Sequence, residues 1–392
     1  MKSTQATSEE KPLRTGYTTG ACATAATKAA LLSLITGEAV REVTIRLPIG
    51  QKAVFAMDEV RMDGNHARAS TVKDGGDDPD ATHGATIVST VTWLREQGIE
   101  IDGGVGVGRV TKPGLPIPEG EAAINPVPRR MIRETVETVL AEHGVNRGVK
   151  VVISVPEGEV IAQKTLNARL GIIGGISILG TRGIVVPFST AAYRASVAQA
   201  IQVAKANGCR HLVLTTGGSS EKHAMKCFPH LPEEAFIQMG DFVGFALKHA
   251  KRAGVERVSL VGMMGKFSKV AQGVMMVHSK SAAVDFGFLA AVAEEVGAPP
   301  DLVQAVREAN SATHAGQLME EAGRMSFFTR LSQLVCRQGL RHVDGGLTIE
   351  TVLVKMKGEL LGRAEWSGTD GETDWDRCGR ERWTPPALPE MD

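Results

Sequence analysis

The chain has 392 residues, 43% hydrophobic and 22% charged, with 44 Lys and Arg balanced by 44 Asp and Glu. That size suits about two or three domains with substantial cores. Zero net charge removes any global pull toward nucleic acid or an anionic membrane, and 4% aromatics leave few stacking platforms for single strands. Cys22, Cys209, Cys227, Cys336 and Cys378 are scattered without a CxxC pair. This spacing argues against a disulfide framework or zinc ribbon and suits a reducing cytoplasm. The first ten residues are polar, without the apolar core of a signal peptide. Apolar helix-like stretches break well before the roughly 20 residues that span a bilayer.

Residues 1–12 read as a loose tail. The run from Arg14 to Ala23, RTGYTTGACA, then enters an alanine-rich helical pattern over 20–35, stopped by Gly37. The N–H groups of a first helical turn lack intrahelical partners. Thr18 or Thr19 can cap them, and the small residues let a ligand come close. This start is a seat for an anion or polar cofactor group, or an ordinary cap before a core helix. Alternation over 40–48 (VREVTIRLP) and around 53–57 predicts strands with one solvated face, and 66–74 adds another. Residues 74–84 (DGGDDPDATHG) form a turn-rich acidic loop leading into an apolar strand over 85–93. The stretch 103–120 is too rich in glycine and proline for a regular helix. A helix over 129–142 and a strand over 149–155 follow, so the first half reads as α+β.

The second half alternates more regularly. Residues 191–206 are helical. Residues 211–214 form a strand running into 215–218 (TTGG), 233–253 a helix, and 257–261 a strand followed by 262–266 (GMMGK). This is the pattern of a parallel α/β sheet, whose ligands bind outside the carboxyl ends of the strands. Loops 215–218 and 262–266 therefore lie on a candidate rim. Further helices are expected over 281–296, 301–308 and about 325–337, then a strand pair over 347–364 turning at Gly358. The tail from Trp366, with Trp375 and Trp383, reads as an irregular appendage or a tryptophan-anchored packing arm.

Several motifs fail chemical tests. Gly104–Gly108 (GVGVG) lacks the strand–turn–helix setting of a dinucleotide fingerprint, and 262–266 lacks the length and hydroxyl of a P-loop. Cys209, His211, His223, Cys227 and His230 offer zinc donors. They divide between a strand and a loop, however, and no metal site is expected. Asp77, Asp78, Asp80 and His83 crowd one loop. Crowding raises carboxylate pKa values, so Asp78, Asp80 or His83 is a candidate proton-handling group; a solvated turn has the same composition. Asp102 is a second candidate carboxylate, and His278 is either a polar helix residue or a pocket-lining one. Arg14, Arg109, Lys112, Arg129, Arg130, Arg182, Lys266 and Lys269 lie near glycine or proline loops. If those loops converge, the cations suit a ligand with several carboxylates. Taken singly, each is a solvated surface group.

These motifs form an ordered series. Thr15–Ala23 (TGYTTGACA), Asp78–Gly84 (DPDATHG), Gly104–Leu115 (GVGVGRVTKPGL), Ile124–Ile132 (INPVPRRMI), Gly175–Val185 (GISILGTRGIV) and Lys266–Gly273 (KFSKVAQG) with His278-Ser279 follow one another. The series resembles the CbiD family of cobalt-precorrin-5B C1-methyltransferases over about residues 12–365, leaving the later tail outside. The resemblance implies methylation of C1 of a cobalt-bound tetrapyrrole by S-adenosylmethionine, giving cobalt-precorrin-6A in the anaerobic cobalamin route. The cobalt belongs to the substrate. The implied fold is α+β and α/β: an α+β domain over 13–175, a Rossmann-like parallel-sheet domain over 176–300, completing helices and a strand pair over 301–365, and an irregular tail over 366–392.

On that basis Gly180, Thr181, Gly183, Thr215, Thr216, Gly217, Gly218, Gly262 and Gly265 are expected to hold the methyl donor. Arg14, Arg109, Lys112, Arg129 and Arg182 are expected to meet substrate carboxylates, with Tyr17, Thr18 and Thr19 at the active-site edge. The residues TTGGS at 215–219 depart from a common Thr-Gly-Asn-like sequence, and Arg182 stands where threonine is common. Cys22 reads as a packed small group, because transfer from a sulfonium needs no covalent enzyme intermediate. The expected partner is the tetrapyrrole, without nucleic acid or membrane. A homodimer and transient contacts with neighbouring pathway enzymes are possible assemblies. From the residues alone, a phosphate-ester or nucleotide enzyme and a tetrapyrrole carrier remain alternatives.

Overall fold

A computed structural model describes residues 12–278 and 282–367. The chain is a mixed α and β protein that divides between Tyr193 and Arg194 into two compact units. Residues 176–193 therefore belong to the first unit rather than opening the second. Trp375, Trp383 and Cys378 lie outside the described residues.

The first unit begins with β1 (Gly16–Tyr17), α1 (Thr19–Thr36) and the hairpin β2 (Glu42–Arg46) and β3 (Lys52–Ala56). Next come β4 (Glu59–Asp63), β5 (His66–Val72), β6 (Thr86–Trp93), β7 (Ile99–Gly103), β8 (Gly106–Val107) and β9 (Arg109–Val110). The remaining elements are α2 (Pro126–Glu142), β10 (Val149–Ser154), α3 (Gly158–Ala162), β11 (Ile172–Ile173), β12 (Gly175–Ile176) and β13 (Ile184–Val185). Its main sheet has the order β4-β5-β6-β10-β7.

Helix α1 is buried all round over Thr19–Thr27 and packs against α2, β2, β5 and β6. Alanine explains this: it favours helix and takes little room, so neighbouring elements approach on several sides. The buried hydroxyls of Thr24, Thr27 and Ser33 donate to carbonyls one turn back, which removes the cost of leaving them unpaired. A Cβ on Gly20 would lie 2.6 Å from the Pro128 side chain in α2. Gly20 thus serves close packing of α1 on α2. Burial pushes the Cys22 thiol up to about 12, so the thiolate is scarce near neutrality. Cys22→Ala is expected to keep methyl transfer within about twofold and melt within a few degrees of the wild type. Abolished turnover in a folded C22A protein would assign the thiol a chemical role.

The 103–120 stretch forms short pairings. β8 runs parallel to β12, pairing Gly106 with Gly175, and β9 runs antiparallel to β11. A Cβ on Gly106 would stand 1.8 Å from the Val155 carbonyl oxygen, and one on Gly158 or Gly175 about as close to the Gly106 carbonyl. These glycines let backbones touch, which explains GVGVG without a phosphate.

The second unit takes most of α4 (Thr190–Ala206), then β14 (His211–Thr215), α5 (Gly218–Cys227), β15 (Phe236–Gln238), α6 (Val243–Arg252), β16 (Arg257–Gly262) and α7 (Met264–Val270). It continues through α8 (Phe286–Glu295), α9 (Pro300–Arg307), α10 (Ala312–Glu321), α11 (Ser326–His342), β17 (Thr348–Val354) and β18 (Leu360–Ser367). One sheet has the order β15-β14-β16-β17-β18. Its first four strands are parallel, and β18 is an antiparallel edge. Trp366 pairs with Ile349 in β18, so the sheet reaches past the expected start of the tail.

The expected helix over 233–253 is split. Phe236–Gln238 pairs with β14, and Gly240, at φ 59°, turns the chain before α6. Helices α5 and α7 occupy stretches expected as loops, and α10 lies where no element was expected.

A buried polar network crosses this sheet. Glu350, 1% exposed, accepts from Ser259 at 2.6 Å, from Arg257 at 3.0 Å and from Arg363. His211 Nε2 lies 2.7 Å from the Ser259 hydroxyl. Burial pushes the Glu350 pKa up, but the Ser259 hydrogen bond and the two guanidinium groups outweigh it and hold the value below normal. Burial and the charge of Arg257 lower His211 to about 4. Among the described residues, no three His, Cys, Asp or Glu side chains gather as metal ligands. No described helix is long and apolar enough to cross a membrane.

Candidate functional site

The start of α1 is closed by the chain itself. Thr18 Oγ1 accepts from the Ala21 N–H at 3.2 Å, the Cys22 N–H reaches the Thr18 carbonyl, and the Gly20 N–H reaches the Leu179 carbonyl at 3.0 Å. The anion seat expected here therefore already holds protein acceptors. Strand β1 pairs with β13, and Thr18 N–H donates to the Gly183 carbonyl. A Cβ on Gly180 would meet Thr18 at 2.4 Å, and one on Gly183 would meet Leu47. Gly180, Thr181 and Gly183 thus lie in the first unit, clamped on the helix start. The Tyr17 ring packs 4.6 Å from that of Phe55.

The acidic loop reaches the same place. Tyr17 N–H donates to the Asp74 carbonyl, and Arg14 N–H donates to Asp77 at 2.6 Å. Arg14 forks onto Asp74, whose pKa this hydrogen bonding holds down to about 2. Asp78 accepts from the Phe188 N–H at 2.8 Å, holding an exposed aromatic residue at φ 52°. Asp80 accepts from Lys73 Nζ at 2.6 Å and from the Thr82 hydroxyl at 2.6 Å. Burial works to raise the Asp80 pKa, but Lys73 and Thr82 overcome it and lower the value. Asp74 and Asp80 are thus lowered where crowding was expected to raise a carboxylate, because cationic and N–H partners face them. His83 Nδ1 accepts from the Gly75 N–H at 2.9 Å, which leaves Nε2 to carry the proton of the neutral ring.

A cavity of about 260 Å³ opens beside these residues, lined by Thr18, Thr19, Lys73, Asp80, Thr82 and Asn167 among others. Asp80 lines it; Asp78 and His83 do not. Lys73 was missed in the sequence. It reads there as the polar end of a strand, and its burial depends on a partner seven residues away across a loop.

The predicted substrate cations differ in freedom. Arg109 is paired with Asp102 at 3.0 Å, and Arg129 with Glu121 at 3.1 Å. The Lys112 stem lies against Gly171. Arg182 is exposed, with no hydrogen bond or ion pair to a described residue.

In the second unit, β14 and β16 are adjacent and parallel, and β15 lies on the far side of β14. Strand order therefore reverses at β14/β16, and a ligand crevice forms outside the carboxyl ends at such a point. Residues Thr216–Gly218 follow β14, and Met263–Lys266 follow β16, which ends at Gly262. Chain neighbours aside, no atom of a described residue lies within 4 Å of a Cβ built on Gly217 or Gly265, which leaves their backbone approachable. Gly262 is different: a Cβ there would meet the Phe267 ring at 2.6 Å. Lys266 Nζ reaches the Thr216 carbonyl at 3.2 Å and lies 3.0 Å from Asp241. Lys269 is buried, with Nζ 3.3 Å from the Val277 carbonyl and no carboxylate of a described residue paired with it.

The family model for CbiD matches residues 6–187, and that for the CbiD C-terminal domain matches residues 276–365. The chain belongs to the CbiD family. Among its relatives, the cobalt-precorrin-5B C(1)-methyltransferase of Geobacillus thermodenitrificans is 67% identical over 370 residues, 94% of this chain and 99% of the relative. The Priestia megaterium protein of the same name is 63% identical over 360 residues, 92% and 98% of the two chains. A crystal structure of the cobalamin biosynthesis protein CbiD from Archaeoglobus fulgidus is 33% identical, covering 64% of this chain and 78% of that one, with a TM-score of 0.36.

Proposed function

We propose that this chain is an S-adenosylmethionine-dependent methyltransferase that methylates C1 of cobalt-precorrin-5B to give cobalt-precorrin-6A in the anaerobic route to cobalamin. Identity of 67% across nearly the full length of a curated methyltransferase carries the reading. The parallel sheet of the second unit is read as Rossmann-like. Its switch-point loops, with Thr215, Thr216, Gly217, Gly218, Gly262 and Gly265, fit a methyl donor: the approachable backbone of Gly217 and Gly265 lies beside Lys266, whose ammonium reaches the Thr216 carbonyl. The donor supplies a methyl group already activated as a sulfonium, and the cobalt arrives with the substrate.

The protein has to align the ring carbon, exclude water and bind the acidic arms of the substrate. Asp78 and Asp80 are committed to the Phe188 N–H and to Lys73 with Thr82. His83, with Nε2–H on a half-exposed ring, is the remaining candidate of the three for moving a proton. Arg182 is the predicted cation left to meet a carboxylate without breaking a pair. A cytoplasmic setting, a homodimer and transient contact with neighbouring pathway enzymes complete the proposal.

The test is anaerobic incubation with labelled S-adenosylmethionine and cobalt-precorrin-5B, read by mass and by label in the tetrapyrrole. One transferred methyl is expected; no label in the tetrapyrrole refutes the activity. Arg182→Ala is expected to raise the tetrapyrrole KM about two- to fivefold, the scale of an exposed ion pair. The S-adenosylmethionine KM should not change. An unaltered tetrapyrrole KM would remove Arg182 from binding.

A further inference from the structure

We infer that the cavity at the start of α1 is a subsite for one carboxylate arm of the tetrapyrrole, with the Lys73 ammonium as its anchor. The inference rests on the tetrapyrrole reading above and adds a residue and a place to it. Lys73 follows β5 at the neck of the acidic loop, where its N–H donates to the Ala85 carbonyl and its carbonyl accepts from the Gly84 N–H. Its side chain is 1% exposed and lines the cavity. An ammonium carries three protons. Asp80 takes one at 2.6 Å, and no other acceptor among the described residues takes the rest. Burying a cation is costly unless it is paired and hydrogen-bonded. Spare donors on a buried ammonium facing a cavity are therefore matched by an acceptor that enters from outside.

Size decides what that acceptor belongs to. A site for a whole drug-sized ligand is about 300–1,000 Å³. This cavity is about 260 Å³, too small for a tetrapyrrole macrocycle and large enough for an acidic side arm. Much of its wall is apolar, from Ala81, Ile176, Leu179 and Val185, and the Thr19, Thr82 and Thr165 hydroxyls and the Asn167 amide in it already donate to the protein. Thr18 Oγ1 accepts from the Ala21 N–H, so its own proton is available to donate. Asp80 keeps Lys73 oriented before the substrate arrives, and Thr82 keeps Asp80 in place. The first unit thus contributes an enclosed carboxylate anchor, whereas Arg182 is an exposed one.

The test compares wild type, the double variant Lys73→Met/Asp80→Asn, and Lys73→Arg. The double variant removes both charges together, so neither is left buried alone. Dissociation constants for cobalt-precorrin-5B are read from the cobalt chromophore without S-adenosylmethionine, beside both KM values and melting curves. The double variant is expected to lose about tenfold to a hundredfold in tetrapyrrole affinity, the scale of a hydrogen bond to a charged group. Its S-adenosylmethionine KM and melting temperature should stay close to the wild type, and K73R should recover part of the affinity. Unchanged tetrapyrrole affinity in the folded double variant overturns the anchor. Equal losses for both substrates also overturn it, since they mark a structural role. Should wild type bind the tetrapyrrole without transferring methyl, the methyltransferase reading fails while the affinity comparison still decides the anchor. Should wild type not bind the tetrapyrrole, both fall.

Discussion

Gly106→Ala is expected to leave the first unit unfolded, whereas Gly120→Ala costs only about 1 kcal/mol. Both glycines have positive φ, 70° and 85°, so both substitutions carry the strain of a side chain in the left-handed region. The difference is space. Chain neighbours aside, no described residue comes within 4 Å of a Cβ on Gly120, while a Cβ on Gly106 stands 1.8 Å from the Val155 carbonyl oxygen and 3.0 Å from the Gly158 nitrogen. Those neighbours are backbone and cannot rotate away. Relief requires separating β8 from the turn after β10, and with it the β8–β12 pairing. A cost above about 4 kcal/mol is exceptional for one substitution and takes much of the roughly 5–15 kcal/mol that holds a domain. Soluble yield and circular-dichroism melts of the full chain read the outcome. A G106A protein melting within a few degrees of G120A would show that the interlocked glycines are not needed.

Glu350→Gln is expected to cost about 3 kcal/mol at pH 7, because it leaves Arg257 and Arg363 facing each other around a neutral amide. For a unit of this size that is a fall of roughly 6–12 °C in melting temperature. The pH dependence identifies the cause. Glu350 has a folded pKa below its ordinary 4.5. Its contribution is therefore present above that value and lost as pH falls through the folded one. The gap between wild type and E350Q should close in acid. His211 adds a second slope in both proteins. Its pKa falls from 6.5 to about 4 on folding, so the unfolded chain binds the proton first. Stability drops between those values as pH is lowered, by about 1–2 kcal/mol after allowance for solvent around a part-exposed ring. A gap that stays constant from pH 7 to pH 4 would mean that Glu350 acts through packing alone.

Much of the secondary structure was legible because its periodicity was local. The alternation over 40–48 and 66–74 became β2 and β5, and the alanine run became α1. Strand β15 was hidden because Phe236, Ile237 and Met239 join Ala246 and Leu247 in one apolar pattern; only the turn at Gly240 separates them. Helix α7 was hidden because Gly262 and Gly265 read as a loop, although the helix begins between them. At the candidate site, the motifs pointed to the acidic loop and the helix start, which lie against each other in the fold. Their roles were not readable. Whether Arg14 is free for a ligand depends on Asp74 sixty residues on, and the cavity that Lys73 lines is walled in part by Thr18, Ile176 and Leu179, far from it in the chain. Local spacing carries no record of such long-range partners.

The pairing of Gly16–Tyr17 with Ile184–Val185 has a consequence for biosynthesis. The first strand made is completed by nearly the last segment of its own unit. Contacts of such sequence separation form slowly. Until then the start of α1 lacks the Leu179 and Gly183 carbonyls that accept from the Gly20 and Thr18 N–H groups. A nascent chain halted at residue 175 would leave those donors open, and a fragment meant to fold alone has to extend beyond Val185.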